Sequence, residues 1–367
     1  MIGTKPKVTV IVVNYNSYSK WAIISQCLKS ILGLWYRPLE IIVVDNGSTD
    51  GSYELIKSIL ENIEQSDELR VKLIRLSKNY GFAVANIIAY NLRDPNSKYI
   101  ALINNDLAPK ADSLDRLIDI LERYPRIAGV QGIILTWDEK YIDSYGCQIT
   151  QHGVCYAVGF GLEACNAHKL RPTAVSYIDG AFSVYRVKAV EEAGGLFLPY
   201  FFMYGDDYEL GIRLWRNRWI LLGVPIIVGR HYRCATTSID DKRDLSKPPR
   251  MLYNCGYWSW LSEIAVLTVL YERIWLLRIL ERIPTTLAAS LLRRSKAITR
   301  GYIDGIMIGI KLRKKLRLGS LINEPRLHVR IFSEFVILMN LFIRHGSKAN
   351  KIYYSVITRS LGRRSMK

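Results

Sequence analysis

Apolar residues recur along the first two-thirds of the chain in two alternating rhythms. Val8–Val13 and Glu40–Val44 are short, β-branched and nearly continuous in apolar character, as expected of strands buried on both faces. Between them, Trp21–Leu32 carries a helical period. Val71–Leu76 and Tyr99–Ile103 supply two more strands, with helical patterns at Ser52–Ile63 and Phe82–Leu92 between them. Asp112–Arg123 reads as an amphipathic helix and Arg126–Leu135 as a return to the sheet. Strands alternating with helices imply right-handed crossovers, so the predicted class is α/β: a Rossmann-like, mostly parallel sheet flanked by helices. Residues 137–176 show little periodicity and read as a long irregular excursion. Gly205–Asn217 reads as a helix with acids in its first turn, where the helix dipole favours them. Pro225–Val228 resembles one last short strand, and beyond residue 250 one helical pattern follows another. There is no internal repeat.

Charge divides the chain at the same place. Of the formal +18, residues 241–367 hold 25 Lys+Arg against 8 Asp+Glu, while residues 1–240 hold 26 against 25. The expected organisation is a nearly neutral α/β body over residues 1–250 and a basic helical region over 251–367. In that region Tyr271–Leu280 sets Trp275 and Leu/Ile beside Arg273 and Arg278, Lys311–Arg317 is strongly basic, and the apolar run Phe335–Ile343 is short. The interrupting charges exclude a clean spanning helix, which needs about 20 apolar residues. Cationic amphipathic helices favour lying on an anionic membrane surface; the competing reading is an interface between copies of the chain in a homo-oligomer. Met1–Lys7 lacks the apolar core of a secretory signal, so the expected location is cytoplasmic, at the inner face of the cell membrane. Six cysteines (Cys27, Cys147, Cys155, Cys165, Cys234 and Cys255) show neither metal-type spacing nor a disulfide framework. A pI near 9.6 would suit a nucleic-acid partner, but the charge is interleaved with apolar helical faces, not gathered in a recognition motif. No nucleic acid is expected.

Candidate chemistry gathers where strands end. The apolar strand Tyr99–Ile103 stops at Asn104, Asn105 and Asp106. A carboxylate at the carboxyl end of a buried parallel strand lies where open α/β sheets bind ligands. With a preceding amide it can hold a divalent cation and, through it, a diphosphate. Pro109 blocks a quick continuation of the strand. Asn14, Tyr15 and Asn16 close the first strand, and Asp45 and Asn46 close the second. Asp45 suits a base imide N–H, and Asn14 or Tyr15 suits a base or ribose; ordinary βα turns capped by Asn and Ser account for the same residues. Gly81 opens a helix with Asn86 one turn inside, which fits close backbone approach, a cap or a ligand contact. No Walker A or GxGxxG pattern is present, which sets aside a nucleotidyltransferase on a similar sheet. Asp206, Asp207 and Glu209 crowd one helix start. Neighbouring carboxylates raise one another's pKa, as a general base near neutrality requires. Glu209 and Arg213, at i and i+4, read as a structural ion pair. His231, at another strand end, is a candidate third metal ligand.

The order of these blocks resembles the family 2 glycosyltransferases of the GT-A fold over roughly residues 8–310. Residues 10–16 look like the family's first strand, 41–52 like its base-binding strand end, and 79–83 like the next block. Asn104-Asn105-Asp106 stands where the family keeps its DxD-type metal motif, with one acid only. Asp179-Gly180-Ala181-Phe182 looks like the acceptor-side glycine turn, and residues 205–213 resemble the segment holding the catalytic base, Asp207 matching better than Asp206. His231 matches the late metal-binding His, and residues 296–305 resemble a C-terminal helix of rhamnosyl- and galactofuranosyltransferase-like members. The resemblance implies an inverting transfer in polysaccharide biosynthesis, assisted by Mn²⁺ or Mg²⁺. The implied donor is a UDP- or dTDP-linked nucleotide sugar and the implied acceptor a glycan or lipid-linked glycan, with residues 137–176 shaping the acceptor side. Asp106 and His231 would hold the metal. Asn14, Tyr15, Asn16, Asp45, Asn46, Gly81, Asn86, Asn104 and Asn105 would line the donor, and Asp207 or Asp206 would act as base.

Overall fold

Four of the predicted strands pair in parallel at one side of a sheet. A computed structural model of the chain describes residues 5–149, 153, 155–233, 256–271, 275–292 and 294–316. Within them β1 (Val8–Asn14), α1 (Trp21–Leu32), β2 (Leu39–Asp45), α2 (Ser52–Leu60), β3 (Leu69–Arg75), α3 (Phe82–Asn91) and β4 (Tyr99–Ile103) follow in the predicted order. β1 pairs in parallel with β2, Val8 opposite Leu39 through Asn14 opposite Asp45; β2 pairs likewise with β3, and β1 with β4. Their carboxyl ends therefore open on one edge.

Both faces of β1, β2 and β4 are covered, which is why these strands read as nearly continuous apolar runs, whereas β3 ends the strand order with three of its seven side chains polar. Val8, Val10, Val12, Ile41 and Val43 face one core with α1 and α4 (Ser113–Arg123). Ile11, Ile42 and Val44 face the other, against Ala83, Ala85 and Ala89 of α3.

The second half departs from the sequence reading in four places. First, the chain does not stop at Pro109: β5 (Leu107–Pro109) pairs antiparallel with β12 (Ile220–His231), because three extended residues suffice to bridge the bend. Second, residues 137–176 are not wholly irregular. After β6 (Ile127–Thr136) come β7 (Ile142–Ser144), β8 (Cys147–Ile149), β9 (Cys155–Ala157) and β10 (Thr173–Ala174). Strands of two or three residues are too short to display a period of two. Third, β11 (Phe182–Arg186), followed by α5 (Val187–Glu192), runs antiparallel between β4 and β6. Fourth, the last strand spans Ile220–His231, not merely Pro225–Val228. Its register against β6 shifts between Gly223 and Ile227, so a bulge absorbs Pro225, which cannot donate to a ladder. The order across the sheet is β10-β12-β6-β11-β4-β1-β2-β3.

α6 (Asp206–Arg216) is the helix predicted at Gly205–Asn217. Cys27, Cys147, Cys155 and Cys165 are free thiols; Cys234 and Cys255 lie outside the described residues. So does Phe335–Ile343.

Four helices complete the described chain: α7 (Gly256–Leu270), α8 (Trp275–Glu281), α9 (Ile283–Leu292) and α10 (Lys296–Lys315). α7 has no polar stripe, and its one acid, Glu263, pairs with Arg282, the mark of a buried helix. It shares a core with Ile149, Tyr177, Phe201 and Ile212 of the α/β body and with Ile298 of α10. No helix among the described residues is long and apolar enough to cross a membrane.

Candidate active site

The strand ends interlock before they can offer anything to a ligand. Asn14 Nδ2 donates to Asp45 Oδ1 at 3.1 Å, and the Ser48 amide donates to Asp45 Oδ2 at 3.0 Å. Asn105 Nδ2 in turn donates to Asn14 Oδ1 at 2.9 Å. The ends of β1, β2 and β4 are thereby fixed relative to one another. Asn46 ties β2 to the next loop: its Nδ2 donates to Asn79 Oδ1 at 2.9 Å, and its Oδ1 accepts from the Tyr80 amide at 3.0 Å. Asn86 Nδ2 donates to the Phe82 carbonyl one turn back, at 2.9 Å. Asn14, Asp45, Asn46 and Asn86 are all buried, so the turn-forming reading describes what these side chains touch here. Tyr15, Asn16, Asn104 and Asn105 keep partial exposure at the same edge.

Gly81 has φ +86, and a Cβ there would stand 2.5 Å from the Phe202 carbonyl oxygen. It must be glycine so that the loop before α6 can close over α3, with the Phe82 amide donating to that same carbonyl at 2.8 Å.

Asp106 and His231, 125 residues apart, meet. His231 Nε2 lies 3.0 Å from Asp106 Oδ1, and its Nδ1 lies 3.0 Å from Asp143 Oδ2. Arg233 Nε closes the row at 2.5 Å from Asp143 Oδ1. β5–β12 pairing explains the meeting, since it sets His231 opposite Leu107. Burial lowers the proton affinity of His231, but the charge and hydrogen bond of Asp106 and the bond to Asp143 outweigh it and lift the imidazole to about 10. Burial pushes the Asp143 carboxyl up, and Arg233 with His231 pulls it below its ordinary value. Asp143 belongs to β7, in the segment that gave no period, and nothing in its local sequence marked it.

The acids of α6 form a second group. Gly205, φ +92, starts the helix. Asp206 is buried, and its Oδ2 has no hydrogen-bond partner among the described residues. Burial, with Glu209 and Asp179 nearby, raises its carboxyl to about 7. Burial raises Asp207 well above the carboxylate range, and the charges of Asp206 and Asp179 add to it. Asp207 Oδ1 accepts from the Tyr208 amide at 2.9 Å, and Asp207 keeps partial exposure. Glu209 is different: it is fully buried against Arg213, Oε1 to Nε at 2.6 Å. Arg213 also donates to the carbonyls of Ala193, Gly195 and Leu196. That pair is structural, as its spacing predicted.

β7 joins the two groups. Asp143 faces His231, while the next residue, Ser144, donates from Oγ to Asp179 Oδ2 at 3.4 Å and accepts from Gln131 Nε2 at 2.8 Å. The Asn104 amide donates to the Ala181 carbonyl at 2.9 Å, so the turn at 179–181 also touches the end of β4.

A cation at Asp106 and His231 would find one carboxylate and one imidazole; no group of three His, Cys, Asp or Glu side chains that could hold a metal occurs among the described residues. Two protein ligands fit Mg²⁺ or Mn²⁺ bound largely through substrate phosphates and water.

Comparison with known proteins agrees with this α/β body. The model of glycosyl transferase family 2 matches residues 9–194, and the chain belongs to that family: it is a glycosyltransferase of the GT-A fold class, similar to rhamnosyltransferases. One relative is the N-acetylglucosaminyl-diphospho-decaprenol L-rhamnosyltransferase of Mycobacterium tuberculosis, 24% identical over 266 residues that cover 66% of this chain and 84% of that one. An uncharacterized glycosyltransferase of Haemophilus influenzae is 32% identical over 143 residues, 39% of this chain and 41% of its own. A solved mannosyltransferase from Pyrobaculum calidifontis, in complex with GDP-Man and Mn²⁺, aligns with TM-score 0.48 and 15% identity over 97% of this chain and 86% of its own.

Proposed function

We propose that this glycosyltransferase moves a sugar from a UDP- or dTDP-linked donor to a hydroxyl of a lipid-linked glycan, with inversion at the anomeric carbon. Residues 1–250 are the catalytic unit and 251–367 a basic annex to it. The observation that carries the reading is the row Asp106–His231–Asp143, assembled from three distant stretches, with Ser144 of β7 bonded to Asp179, whose charge acts on Asp206 and Asp207.

Asp106 and His231 would hold Mn²⁺ or Mg²⁺, the imidazole giving up its Nε2 proton to do so, and the cation would supply Lewis-acid neutralisation of the charge on the departing diphosphate. Asp143 fixes the ring of His231 through Nδ1 and keeps Nε2 directed at Asp106. The locked strand ends set the cleft, and Tyr15, Asn16, Asn104 and Asn105 meet the nucleotide from its rim. Asp207 takes the proton from the acceptor hydroxyl as that oxygen forms its bond to the anomeric carbon and the carbon–diphosphate bond breaks. Its proton affinity, raised by burial and then by the charge of Asp206, suits a base working near neutrality. One displacement inverts the centre, so no nucleophilic side chain is required. The lipid linkage of the acceptor is supported by the name of the mycobacterial relative, whose substrate carries decaprenol. The corresponding place of work is the cytoplasmic face of the cell membrane.

A thermal-shift screen of nucleotide sugars with and without Mn²⁺ tests this reading, since a ligand that binds only the folded state raises Tm. A rise for UDP- or dTDP-sugars that depends on Mn²⁺ and is lost in Asp106→Asn is expected. No response to any nucleotide sugar would overturn it.

A further inference from the structure

Apolar side chains are not exposed evenly over this protein. Fifteen large hydrophobic residues are exposed among the described residues, and ten of them fall within residues 275–310. α8 and α9 turn Leu276, Leu277, Leu280, Leu287 and Leu291 outward, with Leu291 77% exposed. On α10 the exposed stripe is Ile303, Met307 and Ile310, at i, i+4 and i+7, which is one helix face. The same face continues into Arg300 at one end and Lys311 and Lys314 at the other, all exposed.

That face cannot be turned inward. The opposite side of α10 carries Gly301, Gly305 and Gly309, which lie against the Tyr257 carbonyl, the Leu261 carbonyl and Thr268 of α7. A Cβ on Gly305 would stand 2.6 Å from the Leu261 oxygen, so only this rotation permits the helix contact. Among the described residues the acids nearby are all engaged: Glu263 with Arg282 at 2.6 Å, Glu281 with Arg278 at 2.8 Å, and Asp304 with the Tyr257 hydroxyl at 2.6 Å. The exposed charge around the apolar face is therefore cationic. A second copy of the chain would set these cations against their own kind, whereas an anionic bilayer complements them.

We propose that the outer faces of α8, α9 and α10 dock on an anionic lipid bilayer, the leucines and Ile303, Met307 and Ile310 entering the acyl boundary and Arg300, Lys311 and Lys314 meeting lipid phosphates. The helices lie on the surface and do not span it. Through α7 this face is joined to the base-bearing helix: Trp258 stacks on Phe202 at 5.1 Å, and a Cβ on Gly205 would meet Ser262 Cβ at 2.5 Å. Docking thus fixes the height of α6 above the lipid. Only this last step rests on the lipid-linked acceptor; the docking stands without it.

The test is flotation of the full chain with vesicles of phosphatidylcholine, alone or with 30% phosphatidylglycerol (a composition of roughly physiological surface charge). Leu287→Ser/Leu291→Ser and Lys311→Glu/Lys314→Glu are the variants, and sedimentation velocity without vesicles runs beside them. Binding to the anionic vesicles is expected to fall about tenfold or more in each variant, with weak binding to phosphatidylcholine alone. Absence of binding by the unaltered chain would overturn the proposal, as would unchanged binding in both variants. So would a solution dimer that the leucine variant dissociates while vesicles are ignored, which would give the face to a second copy. Nucleotide-sugar thermal shifts report on the catalytic reading separately, since these substitutions lie outside the cleft.

Discussion

The acid pair at the start of α6 makes a prediction that depends on which carboxylate is the base. In Asp206→Asn one negative charge leaves the neighbourhood of Asp207 with little change of shape. Two like charges about 5 Å apart at an effective dielectric near 20 repel by ~3 kcal/mol, about a hundredfold in proton affinity. Asp207 in the variant should therefore ionise at lower pH, and the acid limb of kcat/KM should move down while transfer is retained. Stability should change in the matching direction. The folded chain holds a proton on Asp206 up to about 7, against an ordinary 3.8, so folding binds protons there. A raised carboxyl of this kind costs nothing below the unfolded value and removes stability as pH climbs through about 7. At 1.36 kcal/mol per pH unit the cost reaches at most ~4 kcal/mol. Asp206→Asn should consequently gain Tm over the unaltered protein at pH 8 and gain nothing at pH 4. The assays are a pH series of initial rates and paired thermal melts. Loss of transfer in Asp206→Asn, or an acid limb that does not move, would refute the assignment of Asp206 as the modulator and Asp207 as the base.

Two further substitutions separate metal binding from folding. Asp143→Ala frees Nδ1 of His231 and should weaken Mn²⁺ retention by about 10–100-fold; titration followed by electron paramagnetic resonance reads this without any turnover, and unchanged affinity would show that the ring needs no anchor. Glu209→Ala strands the buried Arg213 guanidinium and should cost about 3–5 kcal/mol, measured by urea unfolding. A loss below 1 kcal/mol would mean that the three carbonyls on Arg213 suffice.

How much could be read in advance follows from which interactions are local. The β1–β4 half was legible because strands covered on both faces are nearly continuous in apolar residues, as Tyr99–Ile103 is throughout and Val8–Val13 is but for Thr9, which bonds to the buried Glu40. Trp21–Leu32 was found to the residue because its apolar stripe faces a core along its whole length. β7 was invisible: Ile142–Ser144 is three residues long, and its role comes from partners 88 and 35 residues away. For the same reason Asp143 escaped notice, whereas Asp106 and His231 stood at recognisable strand ends. Asn14, Asp45, Asn46 and Asn86 show the converse limit. Their residue types suit a nucleotide and a turn equally, and only the fold shows that Asn14 and Asp45 bond to each other, Asn46 to Asn79 and Tyr80, and Asn86 to the Phe82 carbonyl. Tyr271–Leu280 and Lys311–Arg317 already suggested amphipathic helices, but which residues of α8–α10 face outward lay beyond the sequence, because a leucine pattern does not say which side a glycine contact will turn outward.

The central claim is that Asp207 acts on the acceptor and leaves donor binding to other residues. Calorimetric titration of a nucleotide sugar into Asp207→Asn, with transfer measured on the same sample, tests it most directly. The account predicts a donor Kd within about twofold of the unaltered enzyme and a transfer rate lower by ~10²–10⁴. Equal loss of binding and transfer, or transfer that survives the substitution, would contradict it.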